Sequence, residues 1–125
     1  MSKPCVVCDR IPAKEVFRVT HEVFKNHDKL MIHRIACIAV TMINLVDGKN
    51  RFFFCGKGRA VLIGGLLYVI AKNLGLTGSN NPISHELRIN QRQIAQILQL
   101  QDITVARSSR RWLKALPELL TEVSA

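Results

Sequence analysis

Four cations near the end of the chain lie at positions that share one face of a predicted helix. Their spacing of i, i+3, i+4 and i+7 defines a row, called the basic stripe here, which consists of Arg107, Arg110, Arg111 and Lys114. The opposite face is mostly apolar and contains Val105, Ser109, Trp112, Leu113 and Leu116. Side chains of Arg and Lys bind phosphate groups, and Arg also pairs bidentately with guanine. The pattern predicts a helix that packs on one side and contacts a polyanion on the other.

A shorter helical pattern precedes this helix, and a tight polar break separates the two. The later helix begins at Asp102, whose carboxylate caps it or interacts with its dipole. A short helix followed by a basic helix is typical of a helix-turn-helix, whose second helix enters the major groove of DNA. The further DNA contacts predicted in this pair are Arg92, Gln93, Thr104 and Ser108. A solvated basic face on a structural helix is the alternative interpretation.

The charge of the whole chain favours the same class of partner. The net charge is +9 over 125 residues. Residues 49–114 contain eleven cations but only two carboxylates, Glu86 and Asp102. This excess indicates a polyanionic partner, most simply nucleic acid. Lys57 and Arg59 extend the predicted DNA surface, although a basic surface can also serve solubility alone.

A second set of residues could hold a metal ion. Cys5 and Cys8 have the spacing of half a zinc site, and His21 and His27 follow within the range of a two-Cys two-His finger. The two histidines lie about 240° apart on an ideal helix, so they converge only where the helix breaks. A remnant of a zinc ribbon that keeps only the two cysteines is the competing interpretation. One zinc ion is therefore the candidate cofactor.

The remaining reactive residues do not indicate an enzyme. Cys37 lies in an apolar helical run and is interpreted as a small core residue, whereas Cys55 is a candidate free thiol. His33 and His85 have no partner that the sequence identifies. The carboxylates show no spacing suited to acid–base work, and the glycine-rich segment at 56–60 lacks the pattern of a phosphate-binding loop.

Apolar periodicity predicts five helices, which cover residues 12–27, 28–46, 59–74, 91–100 and 102–116. Asp28 is expected to cap the second helix, Asp47-Gly48 to end it, and Gly75 to end the third. The third helix is apolar nearly all round, which predicts a central position. Gly64 and Gly65 within it indicate a close helix approach. The expected fold is an all-α bundle, with a short head at 1–11 and one domain at 12–125.

The sequence also predicts where the protein works. Its first ten residues lack the apolar run of a signal peptide. The two most apolar runs, 35–46 and 60–71, are each shorter than the roughly 20 residues of a membrane span. The cysteine spacing differs from that of secreted disulfide frameworks. We therefore expect a soluble, cytoplasmic protein without a membrane or small-molecule partner.

Three short motifs lie in or next to the last three predicted helices: GKGRA before the third, Ile94-Ala95 in the fourth and Thr104-Val105 in the fifth. Together they resemble the cyclin-box repeats of TFIIB and its archaeal counterpart, transcription factor B. The resemblance covers residues 13–116, more weakly before Lys57. It implies a five-helix cyclin-like domain that ends in a helix-turn-helix. It also implies a DNA-binding transcription factor or regulator of archaeal type, with other transcription proteins as partners.

The sequence departs from that family in two ways. The chain has room for one repeat rather than two, and Gln99 stands in the turn where the family often has glycine. Three other interpretations remain open at this point. The chain could be a cyclin-box module that docks a partner protein, an unrelated helix-turn-helix regulator with an N-terminal zinc finger, or an RNA-binding protein.

Overall fold

The computed structural model describes residues 11–49, 58–77 and 88–115. The fold of these residues is all-α, as the sequence predicted. The helices, in chain order, are α1 (Ala13–Val23), α2 (Lys29–Lys49), α3 (Arg59–Asn73), α4 (Gln91–Ile97) and α5 (Asp102–Ala115). Residues 1–10, which are most of the predicted head at 1–11, lie outside the described residues, as do 50–57, 78–87 and 116–125.

Helix α3 occupies the centre of the bundle. It contacts each of the other four described helices, and its contact with α5 is the most extensive. Its side chains are buried on every side, for example Leu62, Ile63, Leu66, Leu67 and Ile70. A helix with no polar face has to be surrounded, because each exposed apolar side chain would forgo about 1.5–3 kcal/mol of burial. The predicted central helix is confirmed.

Helix α1 is shorter than the sequence predicted. Pro12 precedes it with extended dihedrals (φ −64°, ψ 139°) instead of forming its first residue, and the helix ends at Val23 instead of near His27. Phe24 follows with a non-helical backbone and is completely buried. Val16, Val19 and Val23, on the apolar side of this helix, are all in the core. Ile11, which the sequence assigned to the head, is also a core residue.

Helix α2 begins as predicted and ends later than predicted. The Asp28 side chain accepts a hydrogen bond from the Met31 backbone N–H at 2.7 Å and caps the helix. The helix then continues through Asp47-Gly48 to Lys49. The expected break at this pair is therefore wrong, since glycine costs only about 1 kcal/mol inside a helix and does not forbid it.

The end of α3 follows the prediction. Gly75 has a positive φ of 78°. Its N–H bonds to the Lys72 carbonyl, and the Leu76 N–H bonds to the Ala71 carbonyl at 2.8 Å, which together form a Schellman cap. Ile89, just before α4, donates its N–H to the Leu76 carbonyl at 2.9 Å. The chain therefore returns to the end of α3 before α4 begins.

One helix of the described residues is long and apolar enough to cross a membrane, by length and composition alone. This is the Lys29–Val46 part of α2, 39% of which is buried. The core helix of a soluble bundle and a signal sequence share these properties. Helix α2 contacts α1 and α3 on one side. Its other side carries the exposed polar residues His33, Arg34, Thr41 and Asn44.

Candidate nucleic-acid interface

Helix α4 begins with a capping box that fixes its first turn. The Asn90 side chain accepts a hydrogen bond from the Gln93 N–H at 2.8 Å, and the Gln93 side chain accepts one from the Asn90 N–H at 2.9 Å. Reciprocal capping of this kind satisfies two backbone groups that a helix start would otherwise leave unbonded. Because its amide oxygen is engaged here, Gln93 is less suited to contact DNA than the sequence predicted.

A turn of residues 98–101 joins α4 to α5. Its second residue, Gln99, has a φ of 59°, in the left-handed region that favours glycine. The Leu100 N–H bonds to the Ala95 carbonyl at 2.7 Å and the Gln99 N–H bonds to that of Gln96. This is again a Schellman pattern, formed without glycine. It redirects the chain so that α5 starts at once and crosses α3.

Two hydrogen bonds attach α5 directly to the backbone of α3. The Ser108 hydroxyl donates to the Val61 carbonyl at 2.7 Å, and the Trp112 indole N–H donates to the Leu62 carbonyl at 2.9 Å. The two donors are one helical turn apart and are both buried. They fix the rotation of α5 about its own axis. As a result, the opposite face of α5 is directed away from the bundle.

The two helices approach closely because α3 has glycine at the crossing. A Cβ atom added at Gly65 would lie 2.7 Å from the backbone carbonyl carbon of Ser108 and would also overlap the Ser108 side chain. One added at Gly64 would meet the Leu98 Cδ1 atom at 2.9 Å. The sequence-based prediction of a close helix approach at these glycines is confirmed, and α5 is the helix that comes nearest.

All four residues of the basic stripe are exposed. Arg107, Arg110 and Lys114 form no ion pair with any described residue. The stripe therefore presents several uncompensated positive charges along one side of α5. The physical requirement for binding a row of phosphates is met at this surface.

Two residues of α5 lie differently from the prediction. Ser108 was expected beside the basic stripe, but it is 4% exposed and its hydroxyl bonds to α3. Leu113 was expected on the packed face, but it is 43% exposed. Both positions lie at the border between the two faces, where a small rotation of the helix changes burial. Thr104 is half-buried beside Arg107 and Arg111 and remains available at one edge of the stripe.

The other predicted DNA contacts lie outside α5. Arg92 is exposed and pairs with Asp102 at 3.4 Å, which links the start of α4 to the start of α5. Arg59 is exposed and pairs with Glu15 of α1 at 3.3 Å. Exposed pairs of this kind contribute little stability, so either cation can exchange its carboxylate for a phosphate. Lys57 lies outside the described residues.

A residue that the sequence did not single out also belongs to this surface. Ile103, in the first turn of α5, is 49% exposed and lies four residues before Arg107, on the same side of the helix. The sequence contains one indication of its exposure. At 100° per residue, Ile103 lies on the side of the helix opposite Val105 and Trp112, which are buried.

A groove lies on each side of α5. One, of about 270 Å³, is bounded by α3 and by Thr104, Arg107 and Arg111. The other, of about 470 Å³, runs between α5 and the second half of α3, with Lys72 and Arg110 among its lining residues. No Asp or Glu lines either groove. The positive surface is therefore wider than the stripe alone.

The predicted zinc site falls mainly on residues without a described position. Cys5 and Cys8 precede the described residues. His21 is exposed on α1, and His27 follows the end of that helix, where its ring contacts Phe24. Within the described ranges, no group of three or more His, Cys, Asp or Glu side chains is placed to hold a metal ion. The site stays a prediction.

The described cysteine, Cys37, contradicts the prediction made for it. It was interpreted as a core residue, but its side chain is exposed on α2 and its sulfur lies 3.4 Å from His33 Nε2. His33, for which the sequence identified no partner, therefore has one.

Comparisons with protein-family models, with curated proteins and with solved structures find no match to this chain. Inferences about its function therefore depend on the geometry and charge of the described surface.

Proposed function

We propose that this protein binds duplex DNA through α5, as a DNA-binding transcription factor or regulator. The observation that carries the proposal is the basic stripe, four exposed cations on the face of α5 opposite its attachment to α3. A polyanion is the partner that such a row fits best. The resemblance to the TFIIB cyclin box supports the same proposal from the sequence.

The dimensions of α5 suit the major groove. The helix has 14 residues, which makes it about 21 Å long. An α-helix with side chains is about 10–12 Å across, and the major groove of B-DNA is about 12 Å wide. The short α4 and the turn at Gln99 leave the outer side of the first turn of α5 uncovered. Ile103 in that turn is accordingly half-exposed.

The proposal assigns different tasks to the two halves of α5. Thr104 and Ile103 in the first turn are placed to contact base edges, where Thr can form a hydrogen bond and Ile can contact a thymine methyl group. Arg110, Arg111 and Lys114 contact phosphates, and Arg107 lies between the two sets. Arg92 supplies a phosphate contact from the start of α4. Ser108 and Trp112 act on DNA only indirectly, by holding the helix in position.

The test is the salt dependence of binding to a short mixed-sequence duplex. Each phosphate contact steepens the plot of log K against log salt by about 0.9. The triple variant Arg107→Ala/Arg110→Ala/Arg111→Ala should therefore bind more weakly, with a slope less steep by about 2.7. Fluorescence anisotropy titrations at several salt concentrations measure both quantities.

A matched control separates a local surface from general charge. The triple variant Lys14→Ala/Lys25→Ala/Arg34→Ala removes the same charge from exposed positions on α1, on α2 and in the turn between them. It should retain a slope close to that of the unmodified chain. Equal losses in both variants, or no loss in the first, would refute the proposal. Preferential competition by duplex RNA would identify RNA as the polyanion instead.

The larger groove favours a second candidate function, the docking of an acidic partner peptide. Leu113 and Tyr68 line this groove beside Lys72 and Arg110, so apolar and cationic groups lie close together. An acidic segment with one or two apolar side chains has the matching chemistry. The two triple variants discriminate between the candidates, because a docking module would bind duplex DNA weakly and independently of the basic stripe.

A further inference from the structure

The exposed face of α2 carries a histidine and a cysteine one helical turn apart. His33 and Cys37 are both exposed, and neither contributes to the core. At a spacing of i and i+4 their side chains extend from the same side of the helix. Imidazole nitrogen and thiolate sulfur are the two ligand types that zinc prefers in proteins.

The distance between the two ligand atoms matches a zinc tetrahedron. Cys37 Sγ lies 3.4 Å from His33 Nε2. For a Zn–S bond of about 2.3 Å and a Zn–N bond of about 2.05 Å, the tetrahedral angle separates sulfur and nitrogen by about 3.6 Å. The separation of the two atoms is therefore within about 0.2 Å of the one that a shared zinc ion requires.

A neighbouring ring restricts the imidazole. The centroid of the Phe17 ring on α1 lies 5.5 Å from that of His33, with the planes inclined at 58°. The His33 imidazole therefore has two neighbours, the Phe17 ring and the Cys37 thiol, that favour its present orientation. A ligand that is already oriented loses less conformational entropy when the metal binds.

We propose that His33 and Cys37 form a bidentate binding site for zinc on the outer face of α2. Zn²⁺ forms one bond to Nε2 and one to Sγ, and the thiol releases its proton to solvent. Water occupies the remaining positions, since the described residues bring no third ligand to the pair. The site is distinct from the one predicted from Cys5 and Cys8, and it does not depend on DNA binding.

The experiment uses the full chain with Cys5, Cys8 and Cys55 replaced by serine, so that Cys37 is its only thiol. Cobalt(II) is titrated in as a spectroscopic probe, and the thiolate-to-cobalt charge-transfer absorption is recorded. We expect this absorption to appear and then to disappear when zinc is added. Cys37→Ser should abolish it.

The decisive variant is His33→Gln, which keeps the thiol and removes the second ligand. Chelation predicts a loss of at least about tenfold in cobalt affinity, because even the loss of a residue that only orients a ligand costs that much. His85→Gln removes a histidine that belongs to neither of the proposed metal sites, so it is the matched control and should leave the titration unchanged. Absence of the absorption, or an unchanged affinity in His33→Gln, would overturn the proposal. Circular dichroism verifies that each variant retains its helices.

Discussion

Gln99 adopts a backbone conformation that its side chain disfavours. A left-handed φ costs most L-residues about 1–2 kcal/mol, and Gln99 has no glycine-like freedom to avoid this cost. The Schellman bonds of Gln99 and Leu100 hold the residue there. The junction between α4 and α5 therefore contains backbone strain at Gln99, which a glycine at this position would relieve.

Replacing this residue should stabilise the protein. Gln99→Gly removes the strain but increases the entropy of the unfolded chain, which costs about 0.4–1 kcal/mol. We expect a net gain of about 0.5–1 kcal/mol in the free energy of unfolding, measured by urea denaturation. Gln96→Gly, at an exposed position inside α4, should instead destabilise by about 1 kcal/mol. If both variants destabilise alike, the φ of Gln99 does not limit stability.

Individual residues also show what sequence patterns leave undetermined. Cys37, Ser108 and Leu113 were each assigned to the wrong face of a correctly predicted helix. Periodicity locates the centre of an apolar face, but it does not fix the borders, which depend on where neighbouring helices lie. Ser108 is buried because the carbonyl of Val61 is within reach and Gly65 leaves room. Neither fact can be read from the sequence around Ser108.

At the scale of elements, the contact between α3 and α5 positions the candidate site. It was predictable in part, because paired glycines in an apolar helix indicate that another helix comes close. Which helix comes close was not predictable, since nothing in the sequence of α3 identifies the helix that packs against it. The long α2 shows the opposite case. Asp47-Gly48 predicted the end of this helix, but the helix continues to Lys49.

The glycine contact yields a paired prediction. Gly65→Ala places a Cβ atom against the Ser108 backbone, so α5 has to move, and overpacking of this kind costs about 1–3 kcal/mol. Gly64→Ala places its Cβ atom against the flexible end of Leu98, and the higher helix propensity of alanine offsets this contact. We expect a clear drop in melting temperature for the first variant and little change for the second.

Comparable melting temperatures for these two variants would contradict the account of the crossing. Ser108→Ala adds an independent check, since it removes the hydrogen bond to Val61 without adding volume. It should cost about 1 kcal/mol. Its duplex-binding slope should remain that of the unmodified chain, because Ser108 does not reach the exposed face of α5.

For the molecule as a whole, the net charge of +9 opposes folding by self-repulsion. Added salt screens this repulsion, since the Debye length falls from about 10 Å at 0.1 M to about 3 Å at 1 M. We expect the urea midpoint of unfolding to rise with sodium chloride concentration. The triple alanine variant of the basic stripe, with three fewer charges, should show a smaller rise. A midpoint that falls with salt would indicate that attractive ion pairs outweigh the repulsion.

Because α5 packs directly against the backbone of α3, the protein can accept fewer substitutions at this contact. Most core positions tolerate exchange among apolar side chains, because neighbouring side chains can adjust. At Gly65 the neighbours include the main chain of Ser108 as well as its side chain, and main chain cannot be shortened by mutation. Divergent relatives that preserve this crossing should therefore keep glycine there while their surfaces vary. A glycine within an apolar helix, followed later in the chain by Ser-x3-Trp, is a signature by which such relatives can be sought.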